Sequence, residues 1–163
     1  MPLKMLATIV AMALLAACGF QLRGEARLPA AMNQTLLVAP DDTSAFVREL
    51  ERLLVANGVE LVASPTEGAA ELRIVQERMR REALTIAGDA RVREFVLIFE
   101  VTLELEGAEG RVLMQPEVLR LTRDYSFDEQ EILAATREEE FLRADLRQVM
   151  ASRVLRRLEG LNP

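Results

Sequence analysis

Two kinds of side chain in this sequence are placed to do chemistry: one cysteine near the N-terminus, and a group of arginines in the middle of the chain. Cys18 follows Leu15-Ala16-Ala17 and closes an uncharged run, Met5 to Ala17, of 13 residues. Lys4 gives that run a positive start. A membrane-spanning helix needs about 20 apolar residues, so this shorter run has the form of an export signal closed by small residues at a cleavage site. Leu-Ala-Ala-Cys matches the lipobox, in which the thiol is alkylated by a diacylglyceryl group before the signal is cut away. Only a thiol can form that thioether. The sequence therefore predicts a signal over residues 1–17 and a mature chain that begins at lipidated Cys18, carried on the membrane by its acyl chains. Cys18 is the only cysteine, so no disulfide framework exists for it to join. Gly19 stands where an aspartate would commonly retain a lipoprotein in the inner membrane, which predicts the outer membrane instead.

The arginines form the second feature. Arg78, Arg80 and Arg81 precede a turn-like Ala87-Gly88-Asp89-Ala90, and Arg91 and Arg93 follow it. If the flanking segments pair as a hairpin, these side chains come near its tip. Arginine binds phosphate bidentately and keeps its charge when partly dried, so such a cluster would suit a phosphorylated lipid or glycolipid. The same residues could equally be a charged outer face paired with Glu77, Glu82 and Glu94.

Other chemistry is largely excluded. The chain has no histidine, and its only lysine, Lys4, leaves with the signal. Histidine catalysis, imidazole and thiolate metal sites and a serine–lysine pair are absent with them. Glycine-rich phosphate loops and nucleophile elbows are also missing. The carboxylates Glu138, Glu139 and Glu140, and the pair Asp124 and Asp128, read as a solvated helix start and a loop rather than as an acid–base set. No enzyme, cofactor or metal is expected. Cleavage after residue 17 leaves 146 residues with 19 basic against 26 acidic side chains, a formal charge of −7, which with the export signal argues against a nucleic-acid partner.

The elements that must position these residues are legible in the pattern. Residues 18–30 read as a lipidated tether and 31–163 as one folded unit large enough for a core. Thr35 to Ala39 is a short apolar strand. Phe46, Leu50, Leu53 and Leu54 share one helical face between the capping residues Asp41 to Ser44 and the stop Asn57-Gly58, which predicts a helix over 43–57. Val59 to Ala63 has the look of a short extended piece. Residues 71–86 suit a helix or a strand; Leu72, Ile74, Leu84 and Ile86 fall on one alternating set. The next segment decides for strand. Phe95, Leu97, Phe99, Val101, Leu103 and Leu105 occupy successive odd positions between polar even ones, a strand over 92–106 with one buried face. Val96 and Ile98 break the polar set and call for cover from a loop, the tether or a partner. Residues 112–127 return as a further strand interrupted near Gln115-Pro116. Asp128 and Glu131 resemble a capping box, and apolar residues from Ile132 to Leu158 mark a long helix. Strand, helix, three strands and helix give an α+β two-layer sandwich, with both helices on one face of a roughly four-stranded sheet.

One further pattern stands out. Cys18-Gly19-Phe20-Gln21-Leu22-Arg23-Gly24, then Leu28-Pro29, Asn57-Gly58-Val59-Glu60-Leu61, Arg93-Glu94-Phe95 and the long final helix together resemble the LptE family of lipopolysaccharide-assembly lipoproteins, also called rare lipoprotein B. The resemblance spans most of the mature chain. It implies a non-enzymatic protein on the periplasmic face of the outer membrane, in one-to-one complex with the LptD β-barrel, whose lumen it plugs. It implies support for barrel assembly and for delivery of lipopolysaccharide to the cell surface. It also implies lipopolysaccharide binding through basic residues at one end of the domain. Here the positions nearest to such residues are Arg91 and Arg93, with Arg80 and Arg81 beside them and Arg137 near the start of the last helix. The alternative is a stand-alone envelope lipoprotein that binds a lipid or glycolipid.

Overall fold

The computed structural model describes residues 27–86, 92–127 and 132–161. Cys18, the signal, the turn at 87–90, Arg91 and the Asp128/Glu131 pair lie outside the described residues. The elements are β1 (Gln34–Val38), α1 (Ala45–Ala56), β2 (Glu60–Val62), β3 (Ala70–Ile86), β4 (Val92–Glu106), β5 (Val112–Ser126) and α2 (Ile132–Glu159). They build an α+β fold: one sheet in the order β2-β1-β3-β4-β5, with both helices against one face. The sheet has five strands rather than four, because the extended piece after α1 pairs in parallel with β1 over Glu60–Val62. β1 also runs parallel to β3, and β3, β4 and β5 form an antiparallel meander.

Local chemistry fixes the short elements. The Ser44 hydroxyl accepts from the Val47 amide at 3.0 Å, capping α1, and donates to Glu77 on β3 at 2.7 Å. At the other end the Asn57 side chain donates to the Leu53 carbonyl at 2.7 Å, and Gly58 takes the left-handed φ of 85° that ends the helix. Buried Thr35 is tied in place by its hydroxyl, which donates to the Met32 carbonyl at 2.7 Å. Replacing Thr35 by valine keeps the shape but strands that carbonyl, and is expected to cost about 1–2 kcal/mol in urea denaturation.

The core lies between the sheet and the helices. The odd residues of β4 from Leu97 to Leu105 are all buried, and Phe46 of α1 meets Phe99 edge-to-face at 5.6 Å. From α2 the inward stripe is Leu146, Met150, Val154 and Leu158. β3 departs from simple alternation. Ile74 pairs with Leu103 but Gln76 pairs with Thr102, so Val75 is an extra residue that reverses the strand's faces. Before it Leu72 and Ile74 face the core. After it Glu77, Met79 and Arg81 share the face of Val101, Phe99 and Leu97, and Leu84, unpaired at a second register shift between Ala83 and Thr85, is exposed instead of joining Leu72 and Ile74.

The other face of the sheet is ionic. Arg73 pairs with Glu71 and, at 2.9 Å, with Glu104. Arg80 pairs with Glu100 and, at 2.8 Å, with Glu82, and Arg120 approaches Glu100 at 3.7 Å. Ile98 is buried on this face between its cross-strand neighbours Arg80 and Thr122. The aliphatic stem of Arg80 is thus placed to shield it.

The outer strands are each modified. β2 is only three residues long. In β5 the interruption near Pro116 is a bulge: Glu117 pairs with Leu103 and Met114 with Leu105, leaving Gln115 and Pro116 opposite Glu104, a place where an edge strand tolerates proline. Further along, Arg153 of α2 donates to the Arg120 carbonyl at 3.4 Å and Arg123 to the Thr122 carbonyl at 3.2 Å.

Candidate functional site

α2 runs antiparallel to β5, as a series of contacts shows: Arg157 with Glu117 at 2.8 Å, Asp145 with Arg123 at 3.3 Å, and Glu139 with Tyr125 at 2.5 Å. The start of α2 therefore reaches the end of the molecule where β3 and β4 approach their turn. Of the basic residues expected from the sequence, Arg80 and Arg81 lie on opposite faces of β3, and Arg137 lies on α2. Arg80 lies on the ionic face of the sheet, held by Glu82 and Glu100. Arg81, its neighbour in sequence, lies on the helix face. Its guanidinium sits 4.4 Å over the Phe95 ring and donates to Glu139 at 2.9 Å. Arg93 has its place in β4 at the hairpin end, and Arg137 is exposed on α2.

What draws these elements together is Glu139. One of its carboxylate oxygens accepts from Arg81 and from the Tyr125 hydroxyl; the other accepts from Arg143, one turn on, at 2.7 and 2.8 Å. Burial alone would raise the pKa of this carboxyl, but the hydrogen bonds from Tyr125, Arg143 and Arg81 outweigh it and hold it below the ordinary value. Tyr125 moves the other way. Burial is the first cause and the adjoining Glu139 carboxylate the second. Behind the carboxylate, Phe95 stacks on Tyr125 at 5.8 Å and meets Phe127 edge-to-face at 5.6 Å.

The lowered carboxyl sets a pH dependence. A group whose folded pKa is depressed stabilises above its unfolded pKa and loses that contribution as pH falls through the folded value. The melting temperature of the native protein is therefore expected to exceed that of Glu139→Gln near neutral pH, and the gap to close as the pH falls through and below the ordinary glutamate range. A gap independent of pH would show that the charge of Glu139 is not what stabilises.

Sequence reasoning placed Glu139 in a solvated run with Glu138 and Glu140. The signal that distinguishes it is its spacing. Ala135, Glu139, Leu142 and Leu146 follow the i, i+4, i+7, i+11 positions of the inward stripe, whereas Glu138 and Glu140 point out. Past Glu139, Ile132 and Leu133 are exposed, Leu133 at 77%, and Leu84 is exposed on β3. Among the described residues no cluster of acids could hold a metal ion, and no helix is long and apolar enough to cross a membrane.

The family model for lipopolysaccharide assembly, LptE, matches residues 27–158, from the approach to β1 almost to the end of α2. This chain belongs to the LptE family. Curated LptE relatives include the LPS-assembly lipoproteins of Photorhabdus laumondii, 24% identical over 88% of this chain and 78% of that one, and of Pectobacterium atrosepticum, 23% identical over 94% and 83%. Among solved structures, a lipoprotein B from Nitrosomonas europaea superposes with a TM-score of 0.72 at 29% identity, covering 87% of this chain and 91% of that one. The rare lipoprotein B of Shewanella oneidensis gives 0.69 at 25% identity, covering 78% and 94%. The two-layer α+β architecture is thus that of LptE structures. As an LptE-family member the protein is a non-enzymatic lipoprotein of the lipopolysaccharide-assembly machinery of the envelope.

Proposed function

We propose that this LptE-family protein is exported by residues 1–17, anchored through lipidated Cys18 to the periplasmic face of the outer membrane, and seated as a plug in the lumen of an LptD-type β-barrel. There it supports the barrel's assembly and the insertion of lipopolysaccharide at the cell surface. The observation that carries this reading is the LptE match, which spans residues 27–158 and so takes in every strand and nearly all of both helices. The physical character of the surface fits it. The sheet face away from the helices is built of paired charges over a shielded Ile98, the kind of exterior that can exchange hydrogen bonds with a polar barrel interior. A lipid anchor confines the protein to the membrane that holds the barrel and raises its effective concentration there.

The stand-alone alternative needs an apolar chamber for a lipid. The hollow between α1 and α2 is about 320 Å³ and is lined by Ala45, Glu49, Arg52, Ala144, Arg147 and Gln148. Four of those six residues carry charged or amide groups, for which acyl chains offer no hydrogen-bond partner.

Tagged protein extracted in mild detergent is expected to bring down a barrel of much larger mass in one-to-one ratio, and depletion is expected to weaken the outer-membrane barrier. Unchanged lipopolysaccharide export after complete depletion would sink the reading. For the glycolipid we propose Arg91, Arg93 and Arg137, with Arg80 and Arg81 adjoining but already engaged by carboxylates. Charge reversal at Arg91 and Arg93 should weaken lipopolysaccharide binding with the fold intact.

A further inference from the structure

We infer that Glu139 is a positioning residue: its carboxylate latches the start of α2 to the β3–β4 hairpin and thereby fixes the spacing of the arginines that these two elements offer to a phosphorylated ligand. The latch itself follows from the geometry; its effect on the ligand rests on the reading proposed above.

The first turns of α2 have almost no core to hold them. Between Ile132 and Phe141 only Ala135 is buried, while Ile132, Leu133, Arg137, Glu138 and Phe141 are exposed. A helix end without a buried stripe frays unless something else ties it down. The tie is Glu139. Two of its three donors, Tyr125 and Arg81, come from β5 and β3, so one side chain joins α2 to two strands of the sheet. The third, Arg143, lies on α2 itself and fixes the carboxylate's orientation. Arg81 is in turn clamped between Glu139 and the Phe95 ring, so the hairpin and the helix share one rigid contact. Arg137 lies two residues from Glu139 on the exposed side of α2, so the contact holds the stretch of helix that carries it against β3 and β5.

The test is Glu139→Gln in the mature protein. Glutamine keeps the length and can still accept from Tyr125, but it cannot neutralise two guanidinium groups. Two readouts are needed: hydrogen exchange of the backbone amides, and binding of purified lipopolysaccharide. Amides of residues 136–140, the first with acceptors inside the described helix, are expected to exchange about tenfold faster, with those of 146–158 unchanged, because a charge-assisted contact is lost at one end only. Affinity for lipopolysaccharide is expected to fall about threefold or more. Tyr125→Phe, which removes one donor and keeps the ring, should move both readouts in the same direction by less.

Native exchange over 136–140 in Glu139→Gln overturns the latch. Faster exchange with unchanged affinity overturns its effect on the ligand, provided that charge reversal at Arg93 and Arg137 does weaken binding. If that reversal also leaves binding unchanged, the proposed ligand site itself fails. The exchange measurement, which involves no ligand, still decides the latch.

Discussion

Phe99→Ala is expected to remove about 3–5 kcal/mol of folding stability, a large part of the 5–15 kcal/mol that a domain of this size has in total. Phe99 is fully buried at the middle of β4, between Met79 on β3 and Leu121 on β5 in the register. Its ring makes the edge-to-face contact with Phe46 that ties α1 to the sheet. Alanine leaves a cavity at a point where strand, neighbouring strands and helix meet, and the backbone ladders on both sides limit how far that cavity can collapse. Urea denaturation should show a lower midpoint at an unchanged slope. The equivalent change at Val118, on the exposed part of edge strand β5, should alter the midpoint little. Similar losses at both positions would contradict the two-faced character of the sheet.

Cys18→Ser is expected to abolish membrane attachment while leaving the fold as it is. Serine has the size of cysteine but not the sulfur on which the thioether is built. Fractionation should find the variant in the soluble periplasmic fraction or retained as an uncut precursor, and metabolic labelling with palmitate should be lost. Several acyl chains on one protein hold it stably where one would not, so the change is close to all-or-none. Complementation of a depleted strain should fail at normal expression and recover on overproduction, since the anchor's contribution on this reading is local concentration. Persistent palmitate labelling would remove Cys18 as the lipidation site.

What could be read beforehand depended on how local its cause was. β4 was legible to the residue, 92–106, because a strand buried on one face writes its period directly into the sequence. The cap and stop of α1 were legible for the same reason: Ser44 and Asn57-Gly58 act on the backbone within a few residues. The faces of β3 were not. Val75 and Leu84 carry no mark that they are extra residues, because both irregularities exist only relative to β4, and without them Leu84 is grouped with Leu72 and Ile74. β2 was seen only as a short extended piece, since three residues acquire strand character from pairing with β1 and from nothing else. At the candidate site, Arg80 and Arg81 looked like one cluster because adjacency in sequence was taken for adjacency in space; in a strand adjacent residues point apart. Glu139 was concealed by two acidic neighbours that do what acidic residues usually do.

The outer strands carry one more consequence. A membrane-anchored protein would be crowded on a two-dimensional surface, and an open strand edge invites the same edge of the next copy. Here one edge is three residues long. The other is broken by the bulge at Pro116, and two of its carbonyls are already occupied by Arg153 and Arg123. Strand-to-strand polymerisation would have to displace both guanidinium groups and straighten the bulge. Both edges are therefore poor templates for pairing with another copy.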